Sequence, residues 1–295
     1  MAEIYNWGID LILWLQQASP ALDLPFQFIT FFGQKPFYVI FIPLLYWCLD
    51  NLMGMRLTYL LMISAYVGNG AKLTFHQPRP FQYDPRVKML EYQGDYGFPS
   101  LHTINAVLIP GYLAALIQRR WMYVLAILAL ILIPFSRLYL GVHFPTDLLG
   151  GYLIGAVLLW LSVKYLPRAA AWVAQNPLVW QLTLALLVPL LLLSLFRDQN
   201  SLEIVGMLAG VGEGMILERK WIKFKISGAL WQRMLRFMLG MLVFYLLFLL
   251  FKFLFAPVLS QIAFLFCRAV LIGLWLSLGA PWLFIKLKLA RSDYS

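Results

Sequence analysis

From Leu178 to Phe196 the chain runs nineteen residues without a charge, LVWQLTLALLVPLLLLSLF. About 20 such residues are what a helix needs to cross the hydrocarbon core of a bilayer. The stretch is one of a series. Pro36–Leu49 (extended backward through Phe26–Gly33), Met55–Phe75, Leu101–Ile117, Trp121–Leu140, Leu148–Leu166, Leu202–Leu217, Phe237–Phe255 and Val258–Ile285 are also apolar. The length rule therefore predicts an all-α, polytopic transmembrane bundle of about nine spans, with the Gly-rich Leu202–Leu217 the one most open to a re-entrant form.

Composition narrows the class further. Charged residues make up 12% and hydrophobic ones 62%, against about 25% charged in a soluble domain. Low charge excludes a disordered chain. Cys48 and Cys267, both inside apolar runs, are too few for a disulfide framework or a zinc site and read as packing residues. The 23 Lys and Arg exceed the 13 Asp and Glu. Membrane chains gather such cations in inner loops, so the excess calls for no nucleic-acid partner. No internal repeat supports an inverted-repeat transporter.

Residues 1–24 stand apart. Ile4, Trp7, Leu11, Trp14 and Leu15 recur at helical spacing opposite Glu3, Asn6, Asp10 and Gln17, which predicts an amphipathic helix lying in the membrane interface as an anchor. A basic n-region and a small-residue cleavage site are both missing, so a signal peptide is not expected. The expected organisation is this helix, a bundle over 25–196 that carries the polar clusters, and accessory spans over 197–295. With an outer N-terminus and nine crossings, fourteen Lys and Arg fall on the inner side and eight on the outer. The loops after the second and fourth spans then face the exoplasm.

Those loops hold the polar clusters. Lys72 and Arg79, seven residues apart where an apolar helix ends, make an anion clamp if the helix persists between them. Equally, each suits an interfacial anchor. Ser100 is a helix N-cap in Phe-Pro-Ser-Leu-His, with His102 in the first turn. In Ser136-Arg137-Leu-Tyr-Leu-Gly-Val-His143-Phe-Pro-Thr-Asp147, a helix starting near Pro145 lets Asp147 reach one nitrogen of His143 and leaves the other as nucleophile or base. All three histidines of the chain fall in these clusters, on one expected membrane face. Three cations, a His–Asp pair and a second His add up to phosphoryl transfer through histidine. A metal route finds no carboxylate cluster, HExxH or Walker loop, and neither CxxxxxR nor GxSxG occurs.

The clusters read KxxxxxxRP, PSxH and SRxxxxxHxxxD, in order and with the internal spacing of the type 2 phosphatidic acid phosphatase superfamily, which the chain resembles from about Gly33 to Tyr165. The resemblance implies a compact helical bundle with its site at the membrane surface. It implies that Lys72, Arg79, Ser100 and Arg137 hold the phosphate. His143 would attack phosphorus, Asp147 would orient it, and His102 would protonate the leaving alkoxide, without metal or cofactor. Leu101 stands where many members have Gly, and is expected to narrow the range of substrates. His76 matches no family position and is taken as a loop residue.

Within the superfamily, Phe31–Tyr38, Asp50-Asn51, Gly68–Lys72 and Pro85–Glu91 are similar to sphingosine-1-phosphate phosphatases. The expected activity is hydrolysis of a lipid phosphate monoester, a sphingoid base 1-phosphate first, with membrane lipids as the surroundings. Hydrolysis of undecaprenyl or another prenyl diphosphate, lipid phosphotransfer, and a non-enzymatic lipid transporter or scramblase are the alternatives. In the tail, Glu213 and Arg268 lie within apolar spans and are expected to pair with each other.

Overall fold

Charges and helix-ending residues cut the apolar sequence into thirteen helices in the computed structural model, which describes residues 2–256 and 258–292. They are α1 (Ala2–Leu15), α2 (Asp23–Phe31), α3 (Lys35–Leu44, continued by a π turn, Leu45–Leu49), α4 (Asn51–Phe75), α5 (Pro80–Tyr83), α6 (Leu101–Ile117) and α7 (Arg120–Tyr139). After them come α8 (Pro145–Gln175), α9 (Leu178–Leu195), α10 (Gln199–Leu217), α11 (Leu230–Phe255), α12 (Gln261–Leu274) and α13 (Ala280–Lys286). Two short strands, β1 (Phe224–Lys225) and β2 (Arg291–Ser292), pair antiparallel.

Among the described residues, five helical stretches are long and apolar enough to span: α7, α8, α9, α11 and the continuous Gln261–Lys286. The pair α2 and α3, bent by 44°, makes a sixth if it is one span. The other stretches expected to cross differ for visible reasons. Helix α4 carries Arg56, Asn69 and Lys72, α6 is only 17 residues long, and α10 carries Glu203 and Glu213. In α9 and α11 only 6% of the apolar window is buried by protein. Such faces are costly in water and at ease in hydrocarbon.

The contacts divide the chain into two units. One gathers the residues up to Val39 with Ile63–Arg168; the other takes Ile40–Met62 and the chain from Ala169 onward. In the first, Ser64 of α4 donates to the Asn105 side chain of α6 at 2.7 Å, and the Tyr152 hydroxyl of α8 to the Leu130 carbonyl of α7 at 2.8 Å. Helix α1 buries Ile9 and Ile12 against Val87 and Phe144, while Ile4, Trp7 and Trp14 remain exposed. Its protein-facing side is thus built on Ile9 and Ile12, residues outside the apolar stripe that the sequence emphasises.

The second unit is organised by glycine. A methyl group at Gly206 would stand 2.7 Å from the Phe266 carbonyl oxygen, and one at Gly210 only 2.2 Å from that of Val270. Helices α10 and α12 therefore pack backbone to backbone, as small residues allow in membranes. The ion pair in this unit corrects one expectation. Arg268 pairs with Glu203, not Glu213, its guanidinium lying over the Phe248 and Phe264 rings. The glycine contacts set positions on α12 about sixty residues ahead of their neighbours on α10. Position 208 of α10 is then level with Arg268, about five residues from both Glu203 and Glu213, and the ion pair forms with Glu203.

Candidate active site

Every residue singled out from the three motifs belongs to the first unit. Lys72 stands on the last turn of α4, which ends at Phe75; His76 then takes a left-handed backbone, φ 48°. Arg79 therefore lies beyond the helix, at the N-cap of α5, and the two-turn helical spacing expected of Lys72 and Arg79 does not hold. A carboxylate brings them together instead. Asp95 accepts from Lys72 Nζ at 2.6 Å and from Arg79 Nη2, and its carbonyl accepts from Arg79 Nε at 2.7 Å. His76 is a loop residue, its ring edge-on to Tyr96.

Ser100 caps α6, its hydroxyl accepting from the Thr103 N–H at 3.4 Å, and its own N–H donates to the Asp147 carbonyl at 3.1 Å. His102 follows in the first turn, with Nε2 buried and without a hydrogen-bond partner. The Leu101 side chain turns toward Gly68 of α4.

Helix α7 ends at Tyr139, and α8 starts at Pro145, whose ring favours a first helical position. Gly141, at φ 73°, makes the turn between them, where any side chain would strike the Lys88 carbonyl oxygen. As the spacing predicts, Asp147 reaches back to His143, with Oδ2 3.1 Å from Nδ1. Asp147 is itself held by the Phe144 N–H at 2.9 Å and by Gln77 Nε2 at 3.1 Å. A carboxylate only accepts, so Nδ1 carries the imidazole proton. On the other side of the ring, Nε2 is 3.4 Å from Arg79 Nη1, a group that only donates, so Nε2 keeps its lone pair.

Arg137 is completely buried. Its Nη1 donates to Thr30 Oγ1 and to Glu91 Oε2, each at 2.6 Å, while Nε and Nη2 have no partner. Buried donors in that state are uncommon and point to a ligand. Burial, and then the charges of Arg79, Arg137 and Lys72, push the His143 imidazole well below its ordinary value. Burial alone would raise the Asp95 carboxyl, but Lys72 and Arg79 hold it below the usual carboxylate range.

Gln77, Thr30, Glu91 and Asp95 were not singled out from the sequence. Gln77 lies inside the first motif, two residues before Arg79. Glu91 and Asp95 are acids between two cationic motifs, and Glu91 also ends the Pro85–Glu91 stretch noted above.

Residues 53–171 match the family described as the PAP2 superfamily, and residues 202–292 match the PAP2 superfamily phosphatase transmembrane extension. Among curated proteins, lipid phosphate phosphatase delta of Arabidopsis thaliana is 34% identical over 177 residues, covering 53% of this chain and 42% of that protein. Human sphingosine-1-phosphate phosphatase 2 is 36% identical over 145 residues, 46% of this chain and 36% of its own length. An undecaprenyl-diphosphatase of Sulfolobus acidocaldarius is 32% identical over 114 residues, covering 38% of this chain and 54% of that protein. The chain thus spans about two fifths of the length of the first two relatives.

Proposed function

On the premise of a PAP2 superfamily domain over residues 53–171, followed by that family's transmembrane extension, we propose that the protein is an integral membrane lipid phosphate phosphatase. It hydrolyses a phosphate monoester through a phosphohistidine and without metal. The observation that carries this is the His143 ring, with Nδ1–H on Asp147 and Nε2 beside Arg79. Lys72, Arg79 and Arg137 bind the phosphoryl oxygens and neutralise the negative charge that a metal ion neutralises elsewhere. Ser100, at the start of α6, holds the phosphate with them.

In the first step Nε2 forms a bond to phosphorus and the bond to the lipid alkoxide breaks, the alkoxide taking a proton from His102. In the second, water gives its proton back to His102 and attacks phosphorus. The N–P bond breaks, and inorganic phosphate leaves. Asp147 keeps Nδ1–H oriented and offsets the positive charge the ring carries while Nε2 is bonded to phosphorus.

A sphingoid base 1-phosphate is the preferred substrate, supported by the sphingosine-1-phosphate phosphatase relatives. The undecaprenyl-diphosphatase relative supports a second reading, with a prenyl diphosphate in the same site. Nine crossings, counting α4, α6 and α10 with the others, and an interfacial α1 complete the proposal. The Lys and Arg asymmetry then puts the site on the exoplasmic face.

A phosphate-release screen across sphingoid, glycerol and prenyl phosphates, in detergent with EDTA, separates these readings. Release from a sphingoid phosphate is expected. Release only from a prenyl diphosphate selects the second reading, and strict dependence on added Mg2+ overturns the metal-free mechanism.

A further inference from the structure

Three buried cations around one imidazole are costly unless an anion neutralises them. The connection between α5 and α6 supplies two carboxylates. Glu91 lies on Arg137, and Asp95 lies across Lys72 and Arg79. The two pairings are unequal. Arg137 keeps two unpartnered donors, so a ligand can bind it with Glu91 in place. In Arg79 every nitrogen is engaged: Nε by the Asp95 carbonyl, Nη1 by the Val142 carbonyl at 2.6 Å, and Nη2 by the Asp95 carboxylate. A phosphate held by Lys72 and Arg79 competes with that carboxylate for the same two cations.

We propose that Asp95 is a built-in competitor for the phosphate, resting on Lys72 and Arg79 in the empty site and displaced by the substrate's phosphoryl group. The inference rests on the phosphatase reading given above. Exposure sets the direction of movement. The Asp95 side chain is 43% exposed, against 8% for Lys72 and 0% for Arg79, so the carboxylate can turn into water while the cations stay.

The segment is also free to follow. Leu90 donates its N–H to the Leu140 carbonyl, and Gly97 donates its own to that of Gln77. Among the described residues, Glu91 to Tyr96 make no backbone-to-backbone hydrogen bond. What ties this segment down is chiefly Glu91 on Arg137 and Asp95 on Lys72 and Arg79.

Selectivity follows from the exchange. A phosphate monoester brings close to two charges and three strong acceptor oxygens, and so outcompetes one carboxylate. A phosphodiester or a free fatty acid brings a single charge, no more than Asp95 already offers. Asp95 is thus a specificity-determining residue that sets a threshold of charge for entry.

The test is calorimetric binding of inorganic phosphate and of orthovanadate to the full chain in detergent. D95N is expected to bind phosphate about tenfold tighter than the parent, since a charge-assisted bond no longer has to be broken. D95E should bind like the parent. Equal or weaker binding by D95N overturns the proposal, because Asp95 is then a brace that positions the two cations. If neither protein binds either anion, the anion site itself falls, and this proposal with it. A measurement on the parent avoids any folding defect in the variant. Saturating vanadate should speed amide hydrogen exchange in residues 91–96, and unchanged or slowed exchange there refutes displacement.

Discussion

With its Nδ1 committed to Asp147, the His143 ring has only Nε2 to offer phosphorus. His143→Ala is therefore expected to abolish phosphate release, while Asp147→Asn leaves a small residue of activity because the nucleophile survives. Gln77→Ala removes one hydrogen bond to the Asp147 carboxylate, worth about 1.5 kcal/mol, and should lower kcat about tenfold. Initial rates on folded variants check the order; parent-like turnover by His143→Ala would overturn the phosphohistidine. The same ring carries a pH prediction. Its pKa is lowered in the folded protein, so as pH falls through the ordinary imidazole value of 6.5 the unfolded chain takes the proton first. The native state keeps a neutral His143 there, at a growing cost in stability as the pH drops further. In 15N-histidine spectra, with His143→Ala for assignment, the ring should remain neutral at pH 6, and titration at 6.5 or above would refute it. Motif spacing made Lys72, Arg79, Arg137, His143 and Asp147 legible in the sequence. Gln77, Glu91 and Asp95 were not legible, because an irregular loop has no period and only its folded path shows which polar group it delivers.

At the scale of elements, hydropathy located the helices that are long and apolar enough to span and Pro145 located the start of α8, since both are local properties of the chain. The end of α4 was less legible: KLTFHQPRP reads as two continuous turns until His76 leaves the helical region. Pairings between helices were least legible of all. Arg268 takes Glu203 and not Glu213, and a list of charges contains neither the register nor the facing of two helices. Helix α1 shows the same limit. Its exposed tryptophans dominate the sequence pattern, yet its link to the site is the buried Gln16 just after it. Gln16 Nε2 donates to the Lys88 carbonyl at 2.8 Å and the Tyr139 carbonyl at 3.1 Å, and Oε1 accepts from the Lys88 N–H at 3.0 Å. This one amide fastens the loop carrying Glu91 and Asp95 to the end of α7. Gln16→Leu strands those groups, at about 1–3 kcal/mol for each one left without a partner. It should lower Tm by several degrees and raise the protease sensitivity of residues 84–97 before that of α8. Parent-like values for both would show that Gln16 does not hold the loop.

For the whole molecule, the position of His143 between the ends of two spanning helices decides how a substrate arrives. Helices α7 and α8 both meet the length and hydropathy requirement, and the proposed nucleophile sits in the short connection between them. A spanning helix ends where hydrocarbon gives way to headgroups, so the proposed phosphate position is at headgroup depth. A lipid phosphate then presents its head and leaves its chains in the bilayer, avoiding an extraction cost of about 0.8 kcal/mol for each CH2. A soluble sugar phosphate offers the same head but has no membrane phase to concentrate it. In mixed micelles, kcat/KM should therefore rise with chain length for one headgroup, through KM, while kcat stays nearly level because the reacting atoms are unchanged. Glucose 6-phosphate should be a poor substrate beside the long-chain members. A flat chain-length series, with the sugar phosphate turned over as efficiently as the longest lipid, would remove the lipid from the proposed function. It would leave the His143–Asp147 chemistry standing on its own tests.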